Sequence, residues 1–175
     1  EGRTTSQFGG IFRLMEKFEK TDKILTWDGV ENDLYNSDPV RPNLNMDFRT
    51  SKGREIYVLK STDISRIDGQ FTTVPVAYIC IAYCTQVPRD EKELDLYSNP
   101  DGNIAVAYTV WATGWTKGAG RRIIFKIFEV MKDKKNVHRL VTLSPKTEMA
   151  KRFHEKNGAE LVSENEESYN FEYKI

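Results

Sequence analysis

The chain has 175 residues, 39% hydrophobic and 30% charged, which suits one domain around one core and is cramped for two. Lys plus Arg total 26, as do Asp plus Glu, so no net field draws the protein to nucleic acid or a membrane, and any anion site has to be local. No apolar run reaches the ~18 to 20 residues of a membrane span, and EGRTTSQ lacks a signal peptide's apolar core, so a soluble, cytoplasmic protein is expected.

In chain order, SQFGGIFRLMEKFEK places Phe8, Ile11, Phe12, Met15 and Phe18 at helical spacing behind Ser6, a good N-cap. Residues 26–54 are turn-rich and predict loops with a short irregular helix. EIYVLKS reads as a strand, and RIDGQ carries the Asp-Gly hairpin signal. FTTVPVAYICIAYCTQV then reads as a long strand, with Pro75 marking a bulge or edge. Within it Cys80 and Cys84 lie roughly 13 Å apart at ~3.3 Å per residue, too far for a disulfide. Two cysteines and two histidines, never in ligand spacing, argue against a metal site.

PRDEKELDLYSNPDGN is charged and turn-like. IAVAYTVWA is apolar on both faces, as a central strand is. The helix expected from about Arg121 to Lys134 buries Ile124, Ile127, Phe128 and Met131. HRLVTLS predicts a strand, PKTEMAKRFHEKN a helix stopped by Gly158, and AELVSENEESYNFEYKI a closing hairpin. The segment 1–54 thus reads as a variable helix and loop region, and 55–175 as the sheet core of a single domain.

Between the central strand and its helix lies GWTKGAGRR. Arg121 and Arg122 oppose the helix dipole unless an anion sits between them and the exposed backbone N–H groups. The loop is not a Walker A loop, nor does it space its glycines as the dinucleotide fingerprint does. A strand running through glycines into a helix N-terminus nevertheless suits a pyrophosphate, with Gly118 and Gly120 allowing close approach. A tight βα turn whose glycines serve packing alone is the competing reading.

YTVWATGWTKGAGRRIIFKIF followed by SPKTEMAKRFHEKNGAEL resembles the GNAT superfamily of N-acetyltransferases, chiefly over residues 76–175. Tyr108 to Val110 and Trp115 to Gly120 stand at the family's strand-end and loop motifs, and Ala150 and Gly158 match its later helix. The resemblance implies an α+β, three-layer fold, a mixed and mostly antiparallel sheet flanked by helices, splayed between its fourth and fifth strands. It implies acetyl-CoA as co-substrate, held by residues 110–122. The candidate cofactor-binding residues are Tyr108, Val110, Ala112, Trp115, Lys117, Gly118, Ala119, Gly120, Arg121, Arg122 and Thr147. Backbone N–H groups from Lys117 to Arg122 would hold the pyrophosphate, with Arg121 or Arg122 free for the 3′-phosphate.

The departures fall on chemistry. Trp115 replaces the usual arginine or glutamine, Thr147 an asparagine, Ala159 a phenylalanine, and His154 the tyrosine many relatives use to protonate the leaving thiolate. Where many carry a glutamate base, this chain has Ile104, leaving Asp101, acting through water, as the candidate base and His154 as the candidate acid. The bland alternatives are a turn aspartate and a surface histidine. Tyr83 and Tyr108 read as packing residues or pocket walls. Trp27 or Trp111 and the acidic turn with Glu164, Glu166 and Glu167 would border the acceptor, although such a turn is more often simply solvated. The implied reaction acetylates an amine-bearing small molecule or protein by direct attack, in a monomer or homodimer. The alternative is a silent coenzyme A-binding or regulatory protein acting through a partner.

Overall fold

A computed structural model describes residues 21–27, 38–64, 69–114 and 117–175. The expected helix over 6–18, Trp115 and most of the RIDGQ turn lie outside those residues. The elements are β1 (Thr21–Thr26), α1 (Met46–Thr50), β2 (Glu55–Ile64), β3 (Phe71–Cys84), α2 (Glu91–Tyr97), β4 (Ile104–Ala112) and α3 (Ala119–Asp133). They continue as β5 (Arg139–Thr142), β6 (Ser144–Pro145), α4 (Glu148–Lys156), β7 (Glu160–Glu164) and β8 (Ser168–Tyr173).

The strands form one sheet. β1 to β4 pair antiparallel in chain order, β5 joins β4 in parallel, and β5 and then β6 pair antiparallel with β8, whose other neighbour is β7. The β4–α3–β5 crossover is the one parallel connection among the described strands, and it carries a helix as parallel neighbours require. This is the mixed, mostly antiparallel sheet expected.

β4 is apolar on both faces because both are covered. Ala105 and Ala107 face the core under α3, while Ile104, Val106 and Tyr108 face a second core under α1 and α2. The alanines let α3 sit close, and its stripe of Ile123, Ile124, Ile127 and Met131 fills that side. Leu44 and Leu94 fill the other, making three layers.

Two elements depart from the sequence reading. The charged 88–103 segment contains α2, which Asp90 caps by accepting from the Glu93 amide at 2.7 Å, with Leu94 as its buried anchor. β1 pairs along β2 although TDKILT gave no strong strand signal. Val76 is the extra residue of a bulge beside Pro75, at the position the proline marked. Cys80 and Cys84 are both free and buried.

Candidate functional site

The sheet opens between β4 and β5 for reasons visible in the chain. Cys80 pairs with Thr109 but Ile81 with Ala107, so Tyr108 is an extra residue, a bulge in β4. The parallel ladder with β5 runs from Ile104 to Ala107 and ends where the Leu143 amide donates to the Ala107 carbonyl at 2.9 Å. Two residues on, Pro145 has no N–H with which to make the next rung. The strands therefore diverge. Beyond the bulge the Thr113 amide donates to the Val76 carbonyl at 3.0 Å, which turns the amides of residues 109, 111 and 113 toward β3. By alternation the N–H groups of Val110 and Ala112 point into the splay.

A cavity of about 370 Å³ occupies this opening. β4 lines it with Tyr108, Val110 and Ala112, the α3 start with Gly118, Ala119 and Gly120, and α4 with Thr147 and His154. Eight of the residues singled out in the sequence thus meet in one place. Two helix N-termini face it. At α3 the first intrahelical bond is from the Arg122 amide to the Gly118 carbonyl, 3.1 Å, leaving the N–H groups of Ala119, Gly120 and Arg121 for a ligand. Gly118 caps that helix at φ 73°, a left-handed conformation that disfavours a β-branched residue. At α4 the Thr147 hydroxyl accepts from the Ala150 amide at 3.2 Å and keeps its own hydrogen to donate.

Other expectations are corrected. Arg122 does not face the cavity: four residues into the helix its side chain turns back to the sheet, where its guanidinium grips the Asp22 carboxylate of β1 and reaches Ser61 at 3.3 Å. Hydrogen bonding to Arg122 holds the Asp22 carboxyl below its usual range. Arg121 and Lys117 are exposed at the α3 start, with Arg121 5.3 Å from the Phe125 ring centroid. Asp101 is an exposed turn residue whose amide donates to Asn99 Oδ1. It precedes β4, whose start at Ile104 is itself about 20 Å from Val110 at ~3.3 Å per residue, at the end of the strand away from the splay, and it is not placed to serve as base.

His154 lines the cavity but is only 5% exposed, stacked on Phe171 and edge-on to Phe153, with Nδ1 2.7 Å from the Tyr173 hydroxyl. Burial lowers its pKa to about 4, so it is neutral at pH 7 and neither the surface histidine nor the ready imidazolium acid anticipated. Tyr108 packs edge-on against Phe48 and Trp111 stacks on Tyr78, so both are walls. Glu164 pairs with Lys146 at 3.2 Å, while Glu166 and Glu167 are exposed.

The sequence reading missed a polar network under the splay. Asp38 and Arg49, both with fully buried side chains, pair at 2.8 Å, and the Asp38 carboxylate also accepts from Thr109 on β4 and from the amides of Val40 and Arg41. Arg41 donates Nε–H to the Tyr108 carbonyl at 2.6 Å and Nη2–H to the Leu143 carbonyl at 2.9 Å. The signal was a run of charged residues among prolines, SDPVRPN, which local rules assign to a loop without saying what it packs on. Beside it the Cys80 thiol, 3.4 Å from Arg49, is raised to about 12 by burial, so it packs as a neutral group.

Comparison with solved structures agrees with this architecture. The chain is similar to the loading GNATL domain of CurA from Lyngbya majuscula, at 12% identity over 88% of this chain and 98% of that one, with a TM-score of 0.59. It is similar to NAA60 of Arabidopsis thaliana in complex with a bisubstrate analogue, at 13% identity over 89% and 99%, TM-score 0.56. It also resembles the Campylobacter jejuni N-acetyltransferase PseH in complex with acetyl coenzyme A, at 12% identity over 88% and 99%, TM-score 0.51. No protein-family sequence model matches the chain. Comparison with curated proteins gives no match either. The chain has the fold of the GNAT acetyltransferases. Among the described residues no helix is long and apolar enough to cross a membrane, and no cluster of three His, Cys, Asp or Glu forms a metal site.

Proposed function

We propose that the protein transfers the acetyl group of acetyl-CoA to a primary amine carried by a small molecule or a protein. The observation that carries this reading is the continuity of the splay, with the Val110 and Ala112 N–H groups directed into it, and the bare N-terminus of α3 in one cavity. A nucleotide pyrophosphate and an extended amide-bearing arm need those two donor sets side by side. NAA60 and PseH, which share the fold, have been solved with acetyl-CoA.

In this reading the N–H groups of Ala119, Gly120 and Arg121 hold the pyrophosphate, and Lys117 and Arg121 add charge from solvent. The Ala112 N–H binds the amide arm, and the Val110 N–H donates to the thioester carbonyl oxygen. The free amine attacks the carbonyl carbon, the carbon–sulfur bond breaks, and the thiolate takes up the proton that the nitrogen loses. Holding both partners in one cleft supplies much of the acceleration.

Calorimetry with acetyl-CoA tests the first half. Gly118→Val is expected to weaken binding about tenfold, because valine resists the left-handed backbone that aims the α3 amides. Arg121→Ala is expected to weaken it roughly fivefold at low salt and less at high salt, as an exposed charge contact does. Arg122→Ala is expected to lower the melting temperature by loosening β1 while leaving affinity nearly unchanged. No heat of binding by the wild-type chain at ~1 mM acetyl-CoA, the upper end of ordinary substrate affinities, overturns the proposal. Mass spectrometry of candidate amines after incubation with labelled acetyl-CoA tests the second half, and binding without transfer to any amine marks a silent relative.

A further inference from the structure

At the apex of the splay the bulge creates an electrostatic conflict. The Ala107 carbonyl takes the last ladder bond from Leu143, and the extra residue turns the next carbonyl, that of Tyr108, to the same side. There the Tyr108 and Leu143 carbonyls lie close enough to share one donor group, both of them acceptors, while Pro145 offers no N–H. Two buried carbonyls left so would repel each other and lack donors. Arg41 answers both with one planar group, Nε–H on Tyr108 at 2.6 Å and Nη2–H on Leu143 at 2.9 Å. A guanidinium presents two donors in a fixed fork, which an ammonium does not.

Arg41 is itself held from three sides. Its Nη1 donates to Glu91 of α2 at 2.8 Å, and that carboxylate also accepts from Asn43 at 2.9 Å. Its backbone N–H donates to Asp38 at 3.1 Å, and its carbonyl accepts from Arg49 at 2.8 Å. The group is therefore preorganised rather than draped across the gap. We propose that Arg41 is a positioning residue of the transfer site: its guanidinium staples the apex of the splay and thereby fixes the direction of the Val110 N–H, two residues further along β4. This rests on the acetyl-CoA reading above. A donor aimed at an oxyanion has to be set to within a fraction of an ångström. Pairing with β3 continues to Ala112, but support from β5 ends at Ala107, so beyond that point β4 is held by strand pairing from one side only.

The test compares wild type with Arg41→Met and Arg41→Lys. Coenzyme A affinity is measured by calorimetry, the carbonyl band of bound acetyl-CoA labelled with ¹³C at the thioester by infrared spectroscopy, and thioester cleavage in a single turnover. Wild type is expected to lower the carbonyl frequency relative to free acetyl-CoA. Both variants are expected to bind coenzyme A within about threefold of wild type, to lose most of that frequency shift, and to cleave the thioester about tenfold more slowly or worse. Lysine keeps the charge without the fixed planar fork that aims one donor at each carbonyl. Wild type that fails to bind acetyl-CoA overturns the functional reading itself. Wild type that binds and shifts the band, with either folded variant shifting it equally, overturns the staple alone. Failure of both variants to fold makes Arg41 a structural residue and overturns its positioning role.

Discussion

Asp38→Ala is expected to cost about 3 to 5 kcal/mol of stability, as removal of one partner from a buried ion pair does. Arg49 is fully buried, and without Asp38 its guanidinium keeps the Leu44 and Arg41 carbonyls, the Cys80 sulfur and the face of the Trp111 ring, none of them charged. Thr109 and two backbone amides lose their acceptor at the same time. In a domain of this size the loss corresponds to a fall of roughly 6 to 20 °C in Tm. Removing both charges with volume-matched apolar residues, Asp38→Leu with Arg49→Met, is expected to cost less than either single change, since no uncompensated charge remains. Thermal unfolding of wild type, Asp38→Ala, Asp38→Leu, Arg49→Met and the double variant decides it. A single Asp38→Ala variant that melts within a degree of wild type would show that the network does not hold residues 38–50 against the sheet.

That network marks where the sequence stopped being legible. β4, the glycine loop, α3 and α4 could be read because each shows a local cause: an unbroken apolar run, glycines leading into a helix start, an apolar stripe, a stop glycine. Their convergence followed from the resemblance to a known fold. Asp38, Arg41 and Arg49 carry no such signature, since what makes them matter is contact across the chain with Thr109, Tyr108 and Leu143. Periodicity reports which face of an element is buried; it is silent about a loop whose buried groups are charged. The same limit explains Arg122, which could be placed near a helix start by counting but whose choice between an anion and Asp22 depends on where β1 lies. Asp101 failed more simply, because it flanks the end of β4 away from the splay. α2 was legible in retrospect: Asp90 and Glu93 stand three apart, as capping requires, but one buried leucine gave too faint a stripe.

His154 is expected to make the protein acid-sensitive without serving as an acid. Its pKa is about 4 in the fold, against about 6.5 for an unperturbed imidazole, so the unfolded chain binds the proton first as pH falls. Above pH 6.5 the histidine is neutral in both states and carries no penalty. Between 6.5 and 4 stability drops by ~1.36 kcal/mol per pH unit, roughly 3 kcal/mol in all, and below 4 the loss levels off. Urea unfolding of wild type and His154→Gln at pH 7 and pH 5 isolates this contribution, because the carboxylates are common to both. The wild-type chain is expected to lose about 2 kcal/mol more than the variant between the two. The same burial decides the chemistry. With a pKa near 4, about one molecule in a thousand holds the imidazolium at pH 7, too few for a proton donor tuned to neutral pH. Once an accepting amine is found, His154→Gln is expected to transfer acetyl within about threefold of wild type, where loss of a working acid costs 10²-fold or more. An NMR titration that finds His154 charging near pH 6.5, together with a 10²-fold slower His154→Gln, would restore the acid role and require the pocket around Phe153, Phe171 and Tyr173 to admit water.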